Sequence, residues 1–335
     1  MDVLRFRVVD KVAETKDSYS FFLKFLGEGD INYISGQYLP VKIPHEEGIL
    51  FRSYSLSSSP NIDDLFRITV KREKGGKGSN WLCDNLMVDD VLESLSPAGD
   101  FFPKVWDTNF VFFAGGSGIT PIFSIIKTNL LAHNSKIRLF YANSDKNSVI
   151  FSEELFQLQK DFPDRLSIDL WLDEENGIPT DSAFFEYIDK VNESQYFLCG
   201  PSAFMESVEK CLEKAAVPKS DIAIESFVGV LPDKISNGSS SSDKDITVRV
   251  LLNGEKKDIF CSENDFILAE MLRNGMNVPN SCGVGNCGSC ICNLLHGEVI
   301  LESNAVLDSS DEEDGWILAC RSRPRSKYIE VSFDE

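Results

Sequence analysis

The chain has 335 residues with 42% hydrophobic and 11% aromatic content, enough for globular packing but too long for one comfortable core, so two or three domains are expected. A formal net charge of −20 argues against a nucleic-acid partner, because phosphate binding is driven by clustered Lys and Arg. It serves solubility through like-charge repulsion or presents an acidic face to a basic protein, and composition does not separate these.

The opening residues, MDVLRFRVVDKVAETKD, have no apolar signal-peptide core, and no run approaches the ~18–20 apolar residues of a membrane helix. A cytosolic chain is expected, and reducing conditions there disfavour structural disulfides. Residues 1–105 then carry short alternating or aromatic runs, FRVV, YSFFLKFL, QYLPVKI and FRITVKR, broken by Gly, Pro and Asn. That texture predicts an antiparallel barrel or sandwich. Within it, RSYSLSSSP (Arg52 to Pro60) sets an Arg, a Tyr and several hydroxyls on one strand. They could hold a planar ring and a phosphate, or simply line an exposed polar strand. ITVKREKGGKGSNWL (Ile68 to Leu82) follows, read as a strand running into a glycine-rich loop.

From about Asn109 the pattern becomes apolar strand, glycine turn and helix, repeated, which predicts a parallel sheet with crossover helices. AGGSGITP (Ala114 to Pro121) lies at a strand-to-helix junction, where such sheets bind ligands. Glycines let backbone approach a phosphate, the helix N-terminus favours an anion, and Pro121 suits the first helical turn. A tight turn without a ligand is the alternative. LCGP (Leu198 to Pro201) ends a later strand and opens another helix, which sets Cys199 on the same carboxyl edge, as a site residue or as a small buried hydrophobe.

Together these four motifs, in this order over residues 1–230, resemble the ferredoxin–NADP reductase family. The resemblance implies a six-stranded antiparallel flavin barrel followed by an α/β nicotinamide-nucleotide domain. It assigns the flavin to Arg52, Ser53, Tyr54, Ser55, Thr69, Val70, Lys71, Gly78, Ser79, Asn80, Thr120 and Phe227. NADH is assigned to Gly115, Gly116, Ser117, Gly118, Ile119, Thr120, Pro121, Asn143, Cys199, Gly200, Pro201 and Met205. At IESF (Ile224 to Phe227) the family has an acidic residue and then an aromatic, which places Ser55, Cys199 and Glu225 around hydride transfer and Phe227 against the flavin face. Core packing is the alternative for Phe227. The GSNWL run is similar to the FAD branch, in particular the reductases of 3-ketosteroid hydroxylase and phenylacetyl-CoA epoxidase, rather than to the FMN-binding phthalate-dioxygenase type. FAD is therefore expected over FMN.

A 2′-phosphate on the nucleotide needs Arg or Lys near the ends of the second and third strands. Those ends read YANSDKNS, with Ser144 where several relatives have Arg, and WLDEE, with Asp173, Glu174 and Glu175. Three carboxylates repel a dianion, and Lys146 alone argues the other way, so NADH is expected over NADPH.

LPDKISNGSSSSDKD, residues 231–245, reads as a flexible linker. Behind it stands SCGVGNCGSCIC (Ser281 to Cys292), which holds four of the nine cysteines. A disulfide knot does not suit a reducing compartment, and cytosolic four-cysteine zinc sites usually bring two C-x2-C knuckles where here there is one. Cys282-x4-Cys287-x2-Cys290 has the plant-type 2Fe–2S spacing, which needs a distant fourth thiolate, met by Cys320 in WILAC. Residues 246–335 resemble a plant-type ferredoxin, of α+β, ubiquitin-like (β-grasp) fold. Cys292 is read as a bystander, Cys83, Cys211 and Cys261 as ordinary hydrophobes, and His45, His133 and His296 show no ligand spacing.

The expected division is 1–105 FAD barrel, 106–230 NAD(P)H domain, 231–245 linker and 246–335 ferredoxin domain. No internal repeat is found. The expected role is a reductase carrying electrons from NADH to FAD to 2Fe–2S and on to an oxygenase partner, Rieske-type or di-iron. A soluble acceptor other than an oxygenase, or slow-turnover redox sensing, stands as the alternative.

Overall fold

The computed structural model describes residues 3–45, 48–188, 194–227, 245–276, 278–280, 283, 285, 288–302, 304 and 306–334. Its contacts divide the chain into two units, Met1–Leu39 with Tyr54–Phe227, and Pro40–Ser53 with Val228–Glu335. Of the expected linker, only Asp245 lies among the described residues.

Six strands form the first sheet: β1 (Leu4–Thr15), β2 (Ser18–Phe25), β3 (Tyr38–His45), β4 (Gly48–Ser55), β5 (Phe66–Lys71) and β6 (Val91–Ser94), in the order β4-β3-β6-β1-β2-β5. The β1–β2, β1–β6 and β2–β5 pairs are antiparallel. An antiparallel bridge between Leu56 and Ile68 brings the chain leaving β4 onto β5 and closes the ring. Period-2 alternation turns Phe6, Val8, Phe21, Leu23, Ile68 and Val70 inward, all fully buried.

The run read from sequence as a loop ending GSNWL is instead a helix, α1 (Lys77–Asn85), after a left-handed Gly75. Gly, Ser and Asn are weak helix formers, so local propensity hid it. Tertiary contacts decide the matter. Leu82 and Cys83 are buried, and Lys11 Nζ donates to the Cys83 and Leu86 carbonyls at 2.8 and 2.9 Å, satisfying the helix's C-terminal end.

The second sheet is parallel: β7 (Asn109–Gly115), β8 (Ile137–Asn143), β9 (Leu166–Leu172), β10 (Ser194–Cys199) and β11 (Ile222–Glu225), ordered β11-β10-β7-β8-β9. Its helices are α2 (Ile119–Ala132), α3 (Ser152–Asp161), α4 (Asp173–Asn176), α5 (Asp181–Phe185) and α6 (Ser202–Lys214). The continuous apolar run of β7 is what a strand covered on both faces requires. Phe110, Phe112 and Ala114 pack into one core with Ile122 and Ile126 of α2, while Val111 and Phe113 pack into another with Val208 and Leu212 of α6. Arg165 caps the far end of α2, donating to the carbonyls of Leu130 at 3.0 Å, Asn129 at 3.1 Å and His133 at 2.7 Å.

The third sheet is mixed. It contains β12 (Ile246–Leu252), β13 (Glu255–Cys261), β14 (Ile291–His296), β16 (Trp316–Leu318) and β18 (Tyr328–Ser332), ordered β13-β12-β18-β14-β16. Its central β12–β18 pair is parallel and the others antiparallel, with α7 (Ile267–Arg273) packed on one face: the β-grasp arrangement. A small ribbon pairs β15 (Val299–Leu301) with β17 (Ser322–Pro324), and a short helix α8 (Ser309–Glu313) precedes β16. Among the described residues no helix is long and apolar enough to cross a membrane.

Candidate functional site

Parallel strands deliver side chains to one edge, and three strand ends do so here. Glu225 ends β11 and lies in register beside Cys199, the last residue of β10. Ser55, the last residue of β4, donates from Oγ to Glu225 Oε2 at 3.4 Å. The structure therefore brings Ser55, Cys199 and Glu225 together from positions far apart in the chain. Burial pushes the Glu225 carboxyl up to about 8, with the Ser55 hydrogen bond pulling it back. Cys199 is fully buried; its thiol is pushed well above the ordinary value by burial first and by the Glu225 charge second, which keeps it a neutral S–H. Phe227, two residues beyond Glu225, is 45% exposed, which excludes core packing.

The turn after β7 folds as a short 3-10 turn, Gly116–Gly118, leading into α2. Gly116 takes φ +52°, and its carbonyl accepts from the Tyr141 hydroxyl at 3.2 Å. Gly118 lies so close to the next loop that a Cβ there would stand 2.0 Å from the Cys199 carbonyl oxygen. A Cβ on Gly200 would stand 2.9 Å from Gly115 N, and one on Gly115 2.7 Å from Pro201 Cδ. The AGGSG and CGP motifs thus meet backbone to backbone. Thr120 Oγ1 donates to the Ser117 carbonyl at 3.0 Å, Ile119, Thr120, Pro121 and Met205 are buried, and no side chain caps the start of α2. The Ile119 amide is taken by the Gly116 and Ser117 carbonyls and Pro121 has none, so it is the glycine turn ahead of the helix, rather than its first amides, that offers backbone to an anion. Asn143, at the carboxyl end of β8, is 5% exposed, and its buried amide has only the Tyr141 hydroxyl nearby, with no hydrogen bond of good geometry. A buried orphan amide is costly, and it fits a group that a nucleotide would satisfy.

Beyond Asn143 the backbone N–H of Glu174 donates to the Ser144 carbonyl at 3.0 Å, which sets the acidic first turn of α4 against Ser144. Asp173 keeps one buried carboxylate oxygen without a partner, and burial raises its pKa. Lys146 sits in a separate turn capped by Asp145.

On the barrel, Arg52, Ser53 and Tyr54 are partly buried on β4, and the Arg52 guanidinium donates to the Phe51 carbonyl at 2.7 Å. Thr69 joins Ser20 and Ser57 in a buried hydroxyl cluster at 2.8 and 2.9 Å. Val70 is fully buried, and the Lys71 ammonium lies beside Gly116, 3.7 Å from where a Cβ would stand. Gly78, Ser79 and Asn80 form the first turn of α1, where Ser79 Oγ accepts from Glu73 N at 3.1 Å and Asn80 Nδ2 donates to the Glu73 carbonyl at 3.2 Å. Sequence reasoning missed Arg67, a buried cation between these strands and the parallel sheet. One arginine in FRITVKR looks like any outward polar position.

Of the four expected cluster ligands, Cys282 and Cys287 lie outside the described residues. Cys290 and Cys320 are buried at 2% and 4% exposure, and Ala319 N donates to the Cys290 carbonyl at 3.1 Å, which draws the two loops together. Gly283, Gly285 and Gly288 all take positive φ, at 69°, 88° and 70°. That is the left-handed backbone a tight metal-wrapping loop needs, and with two buried cysteines on loops that meet it fits a cluster. Cys292 is fully buried in the core of the same domain, as a packed hydrophobe would be.

Three family profiles match the chain: an oxidoreductase FAD-binding domain over residues 5–102, an oxidoreductase NAD-binding domain over 112–210 and a 2Fe-2S iron-sulfur cluster binding domain over 250–325. The chain is 39% identical to the ferredoxin reductase component of 3-ketosteroid-9-alpha-monooxygenase from Rhodococcus rhodochrous, covering 97% of this chain and 95% of that protein. It is 29% identical to the reductase component of glycine betaine monooxygenase from Chromohalobacter salexigens, over 98% of this chain and 94% of that one. Among solved structures, phthalate dioxygenase reductase superposes with a TM-score of 0.63 at 25% identity, covering 99% of this chain and 98% of that chain.

Proposed function

Because this chain belongs to the family of ferredoxin reductase components of oxygenases, we infer that it carries electrons from NADH through FAD and a 2Fe–2S centre to an oxygenase partner. The observation that carries the reading is the meeting of Ser55, Glu225 and Cys199 beside a nucleotide loop with an unsatisfied Asn143 amide. When bound, FAD accepts a hydride as a two-electron unit and releases electrons singly to a one-electron iron–sulfur carrier.

The residues do the rest. The glycine turn ahead of α2, part-exposed at Gly116 and Ser117, receives a pyrophosphate. The acidic turn at Asp173, Glu174 and Glu175 beside Ser144 repels a 2′-phosphate and favours NADH. Ser55 orients the Glu225 carboxyl, which holds its proton at neutral pH, and the neutral Cys199 thiol keeps water from the sheet edge. Tyr54 and Phe227 would supply flat faces for the flavin. Ser79 and Asn80, at the start of α1, would hold its pyrophosphate. Cys282, Cys287, Cys290 and Cys320 would hold the two irons.

On this reading the FAD barrel occupies residues 1–105, the nucleotide domain 106–230 and the ferredoxin domain 246–335, with a linker between that lets the last domain swing to the partner. The protein works in the cytosol. Its partner is an oxygenase of Rieske or di-iron type.

Anaerobic stopped-flow tests the reading. NADH bleaches the flavin absorbance stoichiometrically, and a one-electron acceptor such as cytochrome c is then reduced rapidly over many turnovers. Bleaching with negligible turnover to any acceptor overturns the electron-carrier reading in favour of redox sensing. Fixing the ferredoxin module to the flavin side by a cross-link stops partner reduction if the module swings, and unchanged reduction removes that element.

A further inference from the structure

The nucleotide helix α2 is fastened along its side to the barrel, and Arg67 lies beside the fastening. Ser124 Oγ donates to the Ser58 carbonyl at 2.5 Å, and Ser59 Oγ donates to the Ser124 carbonyl at 3.1 Å. Lys127 pairs with Asp63, and Thr128 shares a 2.5 Å hydrogen bond with Ser35. Residues 124, 127 and 128 fall on one helical face, so α2 presents a polar seam to the barrel while its apolar face packs on the parallel sheet.

Arg67 stands beside this seam on β5, only 5% exposed. Its Nη1 donates to Glu154 Oε1 of α3 at 2.7 Å and its Nη2 to the Ser57 carbonyl at 3.2 Å. Its backbone holds the same segment, with Ser57 N donating to the Arg67 carbonyl at 2.7 Å and Arg67 N donating to Ser58 Oγ at 3.0 Å. The guanidinium lies 4.6 Å from the Phe151 ring centroid, 5.0 Å from Phe123 of α2 and 5.6 Å from Phe22 of β2. Only a planar, permanently charged fork can stack on rings and bond in plane at once, so lysine is no equivalent. Arg67 is near one end of β5, while Thr69, Val70 and Lys71 are at the other; the segment it braces begins two residues after Ser55. A cleft of about 870 Å³, bordered by Glu14, Lys16, Lys127 and Lys146 as well, opens beside it.

We propose that Arg67 is a positioning residue for hydride transfer, pinning β5 and the segment that follows Ser55 to Glu154 of α3 and Phe123 of the nucleotide-bearing helix α2, and so setting the ring-to-ring register. The proposal rests on the NADH-to-FAD reading and touches neither cofactor's own contacts. Hydride transfer depends on near-contact geometry, and a misplacement of ~1 Å costs on the order of 100-fold.

The test uses the full-length holoprotein as wild type, Arg67→Met, Arg67→Lys and Glu154→Gln. In Arg67→Met the rate of flavin reduction by NADH falls by roughly tenfold or more, while FAD content and NAD+ affinity by calorimetry stay within about twofold, a rate effect without a binding effect. The long-wavelength charge-transfer absorbance formed when NAD+ meets the reduced protein weakens, and amides of residues 119–128 exchange faster while β12–β18 do not. Arg67→Lys recovers part of the rate, because the charge toward Glu154 is kept. Glu154→Gln, a change at a half-exposed carboxylate that leaves the core intact, gives a smaller loss in the same direction. Wild-type reduction and charge-transfer absorbance in Arg67→Met overturn the proposal. So does an unaltered Glu154→Gln beside an Arg67→Met protein that loses FAD and nucleotide binding together, which makes Arg67 a packing residue. Failure of the wild type itself to bleach with NADH overturns the functional reading instead.

Discussion

Replacing Glu225 by Gln removes one titration and little else, because the amide keeps an oxygen to accept from Ser55. The carboxyl sits at about 8 in the folded protein against an ordinary 4.5. Below pH 4.5 both folded and unfolded chains hold the proton; between 4.5 and about 8 only the folded chain does. Folding therefore becomes less favourable as pH rises through this window, and the loss is complete above about 8. At ~1.4 kcal/mol per tenfold change in proton affinity, the full difference corresponds to roughly 5 kcal/mol. Glu225 is only partly buried, so solvent screening trims the figure, and about 2–3 kcal/mol is expected. Urea unfolding of wild type and Glu225→Gln, followed by circular dichroism and flavin release at half-unit steps from pH 5 to pH 9, measures the difference directly. The two proteins should match near pH 5, with the variant pulling ahead toward pH 8.5. Parallel curves across the whole range, or a wild type that gains on the variant with rising pH, would refute the burial argument.

Cys320→Ser should remove the visible absorption and the low-temperature paramagnetic signal of the cluster and abolish cytochrome c reduction. Flavin reduction by NADH should persist near the wild-type rate; its loss would show that the modules do not work separably. Gly118→Ala puts a methyl 2.0 Å from the Cys199 carbonyl oxygen, so the two loops must part. We expect a cost of about 1–3 kcal/mol in thermal unfolding and weaker NAD+ binding by calorimetry, and an unchanged dissociation constant contradicts the backbone-to-backbone seam. Glu174→Arg should lower KM for NADPH by about tenfold, equivalent to ~1.4 kcal/mol, with little change in kcat. Steady-state kinetics with both nucleotides checks it, and an unaltered preference takes the acidic turn out of the specificity account.

Much of the architecture was legible because its signals are local. The continuous apolar run FVFFA before a glycine turn can only be a strand covered on both faces, and β7 is one. The C-x4-C-x2-C spacing is likewise a short-range chemical pattern, although two of its cysteines lie outside the described residues. The convergence of Ser55, Cys199 and Glu225 was legible only through family resemblance, since nothing between positions 55 and 225 links them in sequence. What stayed hidden depends on partners distant in the chain. The α1 helix is held by Lys11, more than sixty residues upstream, against the propensity of its own Gly, Ser and Asn. Arg67 looked like a solvent-facing residue because Glu154, Phe151 and Phe123, which enclose it, belong to a different sheet's helices and loops.

The bare-backbone meeting of Gly115 and Gly118 with Cys199 and Gly200 bears on how such a reductase could be recombined. Neither loop has room for a side chain where they touch, so neither can drift in length or composition unless the other changes with it. A chimera with a nucleotide domain from another reductase must take the β7 turn and the β10 turn as a matched set. Cutting between them, at any crossover from residue 119 to residue 198, joins two halves of a mesh made for different partners. Crossovers before Asn109 or after Glu225 leave the mesh whole, but a domain exchanged there must also match the barrel at Ser55, Ser58, Ser59, Asp63 and Arg67.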